Sequence, residues 1–287
     1  MENYHDRKIW WIASYPKSGN TWLRMFLDSY VTGFPVDFYN AYKYVIGDLE
    51  KNTYQLTCAR PLQQLNAYEQ YMYYPAVLLN LLALQRTRDL CIKTHNAKCV
   101  VEGYPVIPPK ITGGAIYLIR DPRDVAISYS KHLGISINKT ITLMNDPGTS
   151  GVQLDTSLMH IMLTWSDHVR SWTIKNKDVN HMVIKYEDML ENTEELFRKV
   201  LKFMCIGDLD EDRFRFGMEQ SSLSHLQKLE DEKGFPEKGK AASGRFFRKG
   251  KAGQWKTVLT KQQIERIEDN HEEMMDAFGY ERSAVLV

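Results

Sequence analysis

Four polar stretches hold the residue types that grip and activate an anionic group. In SYPKSGNTW (14–22), Pro16 stiffens the exit of an apolar run, and Gly19 lets the backbone approach a ligand closely. The N–H groups of residues 18–22 would face an anion at a helix N-terminus, where the helix dipole favours negative charge. Lys17 adds a mobile positive charge, and Ser18, Asn20 and Thr21 add donors. The usual nucleotide-triphosphate loop, G-x-x-x-x-G-K-[ST], puts its lysine after a glycine, whereas Lys17 precedes Gly19. The loop predicts a bound phosphate without naming a reaction.

KTHNA (93–97) follows the apolar Leu90-Cys91-Ile92. A lone histidine is commonly structural, but Lys93 lies two residues earlier, on the same side of an extended strand end. Together, His95 and Lys93 read as a base and a cation near the phosphate loop. In RDPRDVAISYS (120–130), Asp121 is placed to cap a helix that has Pro122 at its first position. Arg120 sits at the strand exit, where a planar guanidinium suits bidentate phosphate binding, and Ser128 follows about two helical turns later. Arg123 and Asp124 read as surface or helix-end pairs. From Lys238 to Lys256 there are seven basic residues, four glycines and no acid, with Phe246 and Phe247 among them. That composition predicts a loop closing on an anion.

These residues need a scaffold that brings chain segments far apart in sequence to one edge. Short apolar runs at 8–13, 89–93, 115–119 and 181–185 read as buried parallel strands. Helical patterns at 20–31, 75–87, 122–132 and 156–176 fall between them. The alternation predicts an α/β fold, with helices on both faces of a parallel sheet. Ligands bind such sheets at the carboxyl ends of the strands, where three of the polar stretches lie. Thr260 with Gln263 predicts a capping box opening the last helix. With no repeat, low-complexity tract or linker, residues 1–287 are expected to form a single domain. Tyr68, Tyr71, Tyr73 and Tyr74 fit either an aromatic core stripe or the lining of an apolar site.

Composition narrows the function classes. The 37 basic and 36 acidic residues balance, so no whole-molecule field for nucleic acid or a membrane surface is expected. No apolar run reaches bilayer length, and the first residues lack a secretory-signal plan. Cys58, Cys91, Cys99 and Cys205 form no Cys-x-x-Cys pair, so no metal site is expected. They read as reduced, mostly buried thiols of a cytoplasmic protein.

The order of SYPKSGNTW, KTHNA, IRDPRDVAISYS, VIKYEDML (183–190) and FFRKGKAGQWK (246–256) resembles that of the cytosolic-type PAPS-dependent sulfotransferases. PAPS is 3′-phosphoadenosine-5′-phosphosulfate, and its product PAP is 3′-phosphoadenosine-5′-phosphate. The resemblance covers residues 9 to about 268, and the IASYPKSGNTW and WSDHVRSW (165–172) versions are similar to bacterial members, including those that sulfate glycopeptide antibiotics. It implies the P-loop-kinase-like fold of that family. It also implies that Lys17, Ser18, Gly19, Asn20 and Thr21 wrap the 5′-phosphate while Trp22 stacks on adenine. By the same resemblance Arg120 and Ser128 reach the 3′-phosphate, Arg248, Lys249 and Gly250 close over it, and Tyr186 and Ser221 bind the adenine. Leu223 stands where the family commonly has an aromatic, and Gln254 stands in its G-D-W-K motif. Lys256, Thr260 and Glu265 match a small dimer motif in which Lys261 replaces valine, implying a homodimer.

The expected reaction is sulfuryl transfer from PAPS to a hydroxyl of a small organic acceptor, of apolar or aromatic character, with no metal required. His95 would act as base, and Lys17 and Lys93 would neutralise developing charge. Segments 60–75, 134–155 and 232–245 are expected to surround the acceptor. A nucleotide or small-molecule kinase would need Mg²⁺ and the Gly-Lys-Ser/Thr order. A non-catalytic phosphonucleotide-binding module gives no reason for a base at His95.

Overall fold

Strand β1 (Ile9–Ser14) is buried along its whole length, as expected of an apolar run covered on both faces of a sheet. The computed structural model describes residues 7–39, 44–48, 51–61, 64–85, 89–148, 150–152, 159–239, 241–242 and 244–283. After β1 come α1 (Asn20–Thr32), β2 (Val45–Gly47), α2 (Lys51–Thr57), α3 (Ala67–Leu84), β3 (Leu90–Thr94), β4 (Val100–Val101) and β5 (Tyr104–Pro105). The middle of the chain forms β6 (Thr112–Ile119), α4 (Pro122–Leu133), α5 (Ile137–Met144), β7 (Ser150–Val152), β8 (Met159–Ile161) and α6 (Trp165–Trp172). The rest forms β9 (His181–Lys185), α7 (Tyr186–Glu191), α8 (Thr193–Phe203), α9 (Glu211–Gln220), α10 (Leu223–Lys233), α11 (Trp255–Val258) and α12 (Lys261–Ala277).

The central sheet has the order β2-β3-β1-β6-β9, with every neighbouring pair parallel. Its register aligns the carboxyl ends. Ala13 pairs with Thr94, Ser14 with Leu118 and Ile119 with Lys185. The first loop, the KTHNA turn and the Arg120 exit therefore meet at one edge. On one face, Trp11, Tyr117, Trp165 and Trp172 pack with residues of α3, α4 and α12. On the other, Ile12, Phe26, Phe197 and Phe214 join α1, α8 and α9. A smaller cluster of Met25, Phe38, Leu226, Phe235 and Phe247 fastens the basic loop to α1 and α10.

The strands and helix signals read from the sequence recur here. Asp121 caps α4 by accepting from the Arg123 N–H, and Pro122 sits in the first turn. Thr260 and Gln263 form the capping box of α12. Four features differ. β2 is only three residues long, too short to leave a periodic signal. Helix α3 begins at Ala67, ahead of the expected start at 75, because Asn66 and Glu69 form a capping box. The expected helix at 156–176 is strand β8, a turn with Leu163 at φ 57°, and the short α6 capped by Thr164; residues 156–158 lie outside those described. Of the four free thiols only Cys91 is buried, and Cys205 is exposed. No helix among the described residues is long and apolar enough to cross a membrane.

Candidate active site

A cavity of about 500 Å³ opens where β1, β3 and β6 end. Of the sequence-predicted residues, Lys17, Gly19, Asn20, Thr21, Trp22, Lys93, His95, Arg120, Ser128, Tyr186, Ser221, Arg248 and Gly250 line it. Ser18 and Lys249 do not. Ser18 is buried within the loop, and Lys249 is exposed. The four-tyrosine stretch resolves in favour of the core for its two buried members. Tyr71 and Tyr74 pack inside and hydrogen bond to Asn96 and Asp48, while Tyr68 is half exposed; none of the four borders the cavity. Of the three expected acceptor segments, 232–245 supplies Pro236, Glu237 and Lys238 to the wall. The described residues of 60–75 and 134–155 do not reach it, because α3 turns its inner face to the core. Residues 62–63, 149, 153–155, 240 and 243 lie outside those described.

The first loop is shaped for an anion. Gly19 adopts φ 98°, and a Cβ there would lie 2.8 Å from Tyr186 Cδ2, so only glycine fits beside that ring. Lys17 also takes a left-handed conformation, φ 69°, which turns its carbonyl outward to accept from Arg120 Nη1 at 3.1 Å. Its ammonium rests 3.6 Å from the centre of the Phe246 ring. Burial, opposed by Glu237 and reinforced by Arg248 and Arg120, lowers the Lys17 pKa to about 7. Arg248 is lowered too, by burial and then by Arg120. Three basic side chains, Lys17, Arg120 and Arg248, crowd one space, which suits a site built for negative charge. The Ser18 hydroxyl and Arg120 Nε are buried with no hydrogen-bond partner among the described residues, which suits donors waiting for phosphate oxygens. A phosphorylated nucleotide fits this donor set.

Asn20 has a different task from a phosphate donor. Its amide nitrogen donates to the Ile12 carbonyl at 3.0 Å and to Ser14 Oγ at 3.3 Å, tying the loop to the strand it leaves. Trp22 packs edge-on against Tyr186 and Phe197, and the Arg120 guanidinium lies 4.2 Å over the Tyr186 ring.

The basic loop is held from two sides. The buried Asp124 carboxylate accepts the N–H groups of Gly253 at 2.7 Å and Trp255 at 3.0 Å. Arg123 pairs with Asp121 and Glu268 and stacks 3.6 Å over the Trp255 ring. Arg123 and Asp124 are thus buried anchors rather than surface pairs; they hold the loop that carries Arg248 and Gly250. From α10, Glu230 accepts from the Phe246 and Phe247 N–H groups, at 2.6 and 2.9 Å. At Gly250 a Cβ would stand 2.9 Å from Leu223 Cδ2.

His95 is partly exposed on the cavity wall. Its Nδ1 lies 2.8 Å from the Ser14 carbonyl oxygen. A carbonyl only accepts, so the neutral ring carries its hydrogen on Nδ1 and keeps the Nε2 lone pair. Burial, then the charge of Lys93, hold its pKa well below the ordinary value. His168 supports the turn from behind: Nε2 donates to the His95 carbonyl at 3.2 Å, and Nδ1 accepts from the Tyr117 hydroxyl at 2.9 Å.

Sequence reasoning missed Asp48, His160, Arg24 and Glu237. Asp48 is a buried carboxylate on the exit of β2, bonded to Tyr74, Thr94, Asn96 and His160. Arg24 donates to both Glu237 oxygens, at 2.8 and 2.9 Å, fixing that carboxylate at the cavity wall. No local motif links these pairs, which are far apart in sequence. Tyr129, His132 and Met162 complete an apolar side of the cavity, with Tyr129 stacked on His132 and His132 edge-on to Phe246.

The parallel sheet carries an anion cradle at the β1–α1 turn and a second basic clasp from the C-terminal region, an arrangement that suits a phosphorylated ligand. A family model for the sulfotransferase domain matches residues 7–279, and the chain belongs to that family of enzymes. It is 27% identical over 272 residues to Sulfotransferase 1 family member D1 of Rattus norvegicus, covering 92% of this chain and 82% of that one. Sulfotransferase 1A1 of Canis lupus familiaris is 26% identical over 278 residues, covering 93% and 83%. Sulfotransferase 2A2 of Mus musculus is 28% identical over 168 residues, 57% of each chain. Retinol dehydratase in a complex with retinol and PAP superposes with a TM-score of 0.61 at 20% identity, covering 93% of this chain and 81% of that one. Mouse sulfotransferase SULT7A1 complexed with PAP gives 0.58 at 20% identity, covering 93% and 84%. At that identity the two structures speak for the fold.

Proposed function

We propose that this enzyme transfers a sulfuryl group from PAPS to a hydroxyl of a small organic acceptor, with His95 as general base. One observation carries the reading. His95, its Nδ1 fixed by the Ser14 carbonyl, lines the same cavity as Lys17, Lys93, Arg120 and Arg248. A pure binding site for a phosphorylated nucleotide gives no reason to orient an imidazole lone pair there. The solved neighbours in complex with PAP, two of them also with retinol or androsterone, support a phosphonucleotide with an apolar alcohol beside it.

PAPS, when bound, supplies the sulfuryl group and a phosphate as leaving group. The first loop would hold the 5′-phosphate with Lys17, the Ser18 hydroxyl and the N–H groups at the start of α1. Arg120, Ser128 and Arg248 would hold the 3′-phosphate, Lys249 adding charge from the rim, and Trp22, Tyr186 and Ser221 would enclose the adenine. His95 Nε2 takes the proton from the acceptor hydroxyl. Lys17 and Lys93 balance the negative charge that grows between donor and acceptor. The apolar wall of Tyr129, His132, Met162 and Phe246 would exclude water and favour an apolar or aromatic acceptor.

Labelled PAPS incubated with phenols, steroids, glycosides and peptide antibiotics tests the reaction, and PAP against AMP in thermal unfolding tests the donor site. Label in at least one hydroxyl compound, with PAP raising Tm far more than AMP, is expected. Equal stabilisation by AMP, or no transfer across the panel, would overturn the reading.

A further inference from the structure

Beside His95 the cavity wall holds a second imidazole. His160 lines the cavity, and its ring lies edge-on to that of His95 with centroids 5.6 Å apart. Its Nε2 is 3.2 Å from Asp48 Oδ1. The other carboxylate oxygen, Oδ2, accepts from the Tyr74 hydroxyl, the Thr94 hydroxyl and Asn96 Nδ2. A carboxylate offers about four lone-pair sites, so this one is filled with donors and buried in its charged form. Although burial opposes ionisation, His160 and the Thr94 hydroxyl hold the Asp48 pKa below its ordinary value.

The arrangement dictates what His160 offers. An ionised carboxylate only accepts, so the neutral ring must donate Nε2–H to Asp48, and Nδ1 is left with the lone pair. The buried carboxylate thereby fixes both the tautomer and the orientation of an imidazole on a wall shared with Tyr129, His132, Met162 and Phe246. An apolar side chain there would avoid the cost of burying a charge, unless the acceptor has a polar group to meet it. His95 already addresses one hydroxyl, and a neighbouring imidazole acceptor calls for a second O–H donor next to it.

We propose that His160, oriented by Asp48, reads a second hydroxyl of the acceptor, so that the enzyme selects compounds with two adjacent hydroxyls. This rests on the sulfuryl-transfer reading above and names the substrate class of that site. Each imidazole bonds one oxygen of the pair: His95 the one that is sulfated, His160 its neighbour. The bland alternative makes His160 only a fourth donor to Asp48, and predicts no preference among acceptors.

The test compares labelled transfer to catechol with guaiacol, its monomethyl ether, and to a vicinal cyclohexanediol with its monomethyl ether. In the native enzyme at least one diol should exceed its ether in kcat/KM by about tenfold or more, because methylation removes the donated hydrogen bond. In His160→Phe that ratio should fall to within about twofold of unity. His160→Gln can still donate to Asp48 and keeps the network closed, and it should lose the ratio as well; both variants are assayed after PAP-induced thermal stabilisation shows them folded. Diols and ethers sulfated equally by the native enzyme, or a ratio that survives both substitutions, would overturn the proposal while leaving sulfuryl transfer intact. No transfer to any hydroxyl compound would instead overturn the parent reading, and this one with it.

Discussion

Lys17 gives the most quantitative handle on the donor site. Its pKa in the ligand-free protein stands at about 7, against an ordinary 10.5, through burial and the neighbouring Arg248 and Arg120. Between those values the folded protein binds fewer protons than the unfolded chain, so the ligand-free enzyme gains stability as pH rises through this window. Seating a phosphate among the three cations reverses the effect: the anion favours the ammonium form and returns the pKa toward its ordinary range. At pH 8 roughly nine tenths of Lys17 is neutral before binding, so PAP should bring in roughly 0.9 proton per site. The ligand does not contribute at pH 8, because a phosphate's second ionisation, near 6, is already complete. Calorimetry of PAP binding in two buffers of different ionisation enthalpy counts these protons. Affinity should also fall close to tenfold per unit from pH 8 to 9. Lys17→Met should abolish both effects. Zero uptake at pH 8, or the same uptake in Lys17→Met, would refute the reasoning.

Other substitutions probe the pieces that shape the site. Gly19→Ala must hold alanine at φ 98° with its Cβ 2.8 Å from the Tyr186 ring; strain of about 1–3 kcal/mol should weaken PAP by roughly 5- to 150-fold in calorimetry. Arg248→Ala removes a charge-assisted contact of about 2–3 kcal/mol, so the PAP Kd should rise roughly 30- to 150-fold while kcat at saturating PAPS stays within about threefold. Asp124→Ala strips the acceptor from the Gly253 and Trp255 N–H groups, which should lower Tm by roughly 5 °C and loosen PAP binding together. PAP affinity unchanged in any of the three would remove that residue from the account.

Much of this site lies in contiguous stretches, and that is why it was legible. The cradle, the KTHNA turn and the Arg120 exit each follow an apolar strand that the parallel sheet brings to one edge, and each places residues on the cavity. What escaped the sequence depends on long-range pairing. Asp48 follows a three-residue strand and meets His160 across 112 positions, so neither residue carries a local signature. Thr164 and Asp167 do leave a helix-start signal, T-x-x-D, which would have separated α6 from the β8 turn before it. Arg123 and Asp124 looked like surface pairs because their partners, Glu268, Gly253 and Trp255, lie more than a hundred residues away. Burial of charge is decided by the packing of distant segments, and no local pattern records it.

The central claim is that His95 is the base in sulfuryl transfer, and the cleanest measurement is turnover of His95→Asn under saturating PAPS, on protein shown folded by PAP-induced stabilisation. Asparagine keeps a polar side chain but cannot take a proton near neutral pH. The account predicts PAP affinity close to native and a kcat lower by roughly 10²-fold or more, with a smaller loss for an acidic phenol already ionised in the assay. Native-like turnover by folded, PAPS-saturated His95→Asn would contradict it.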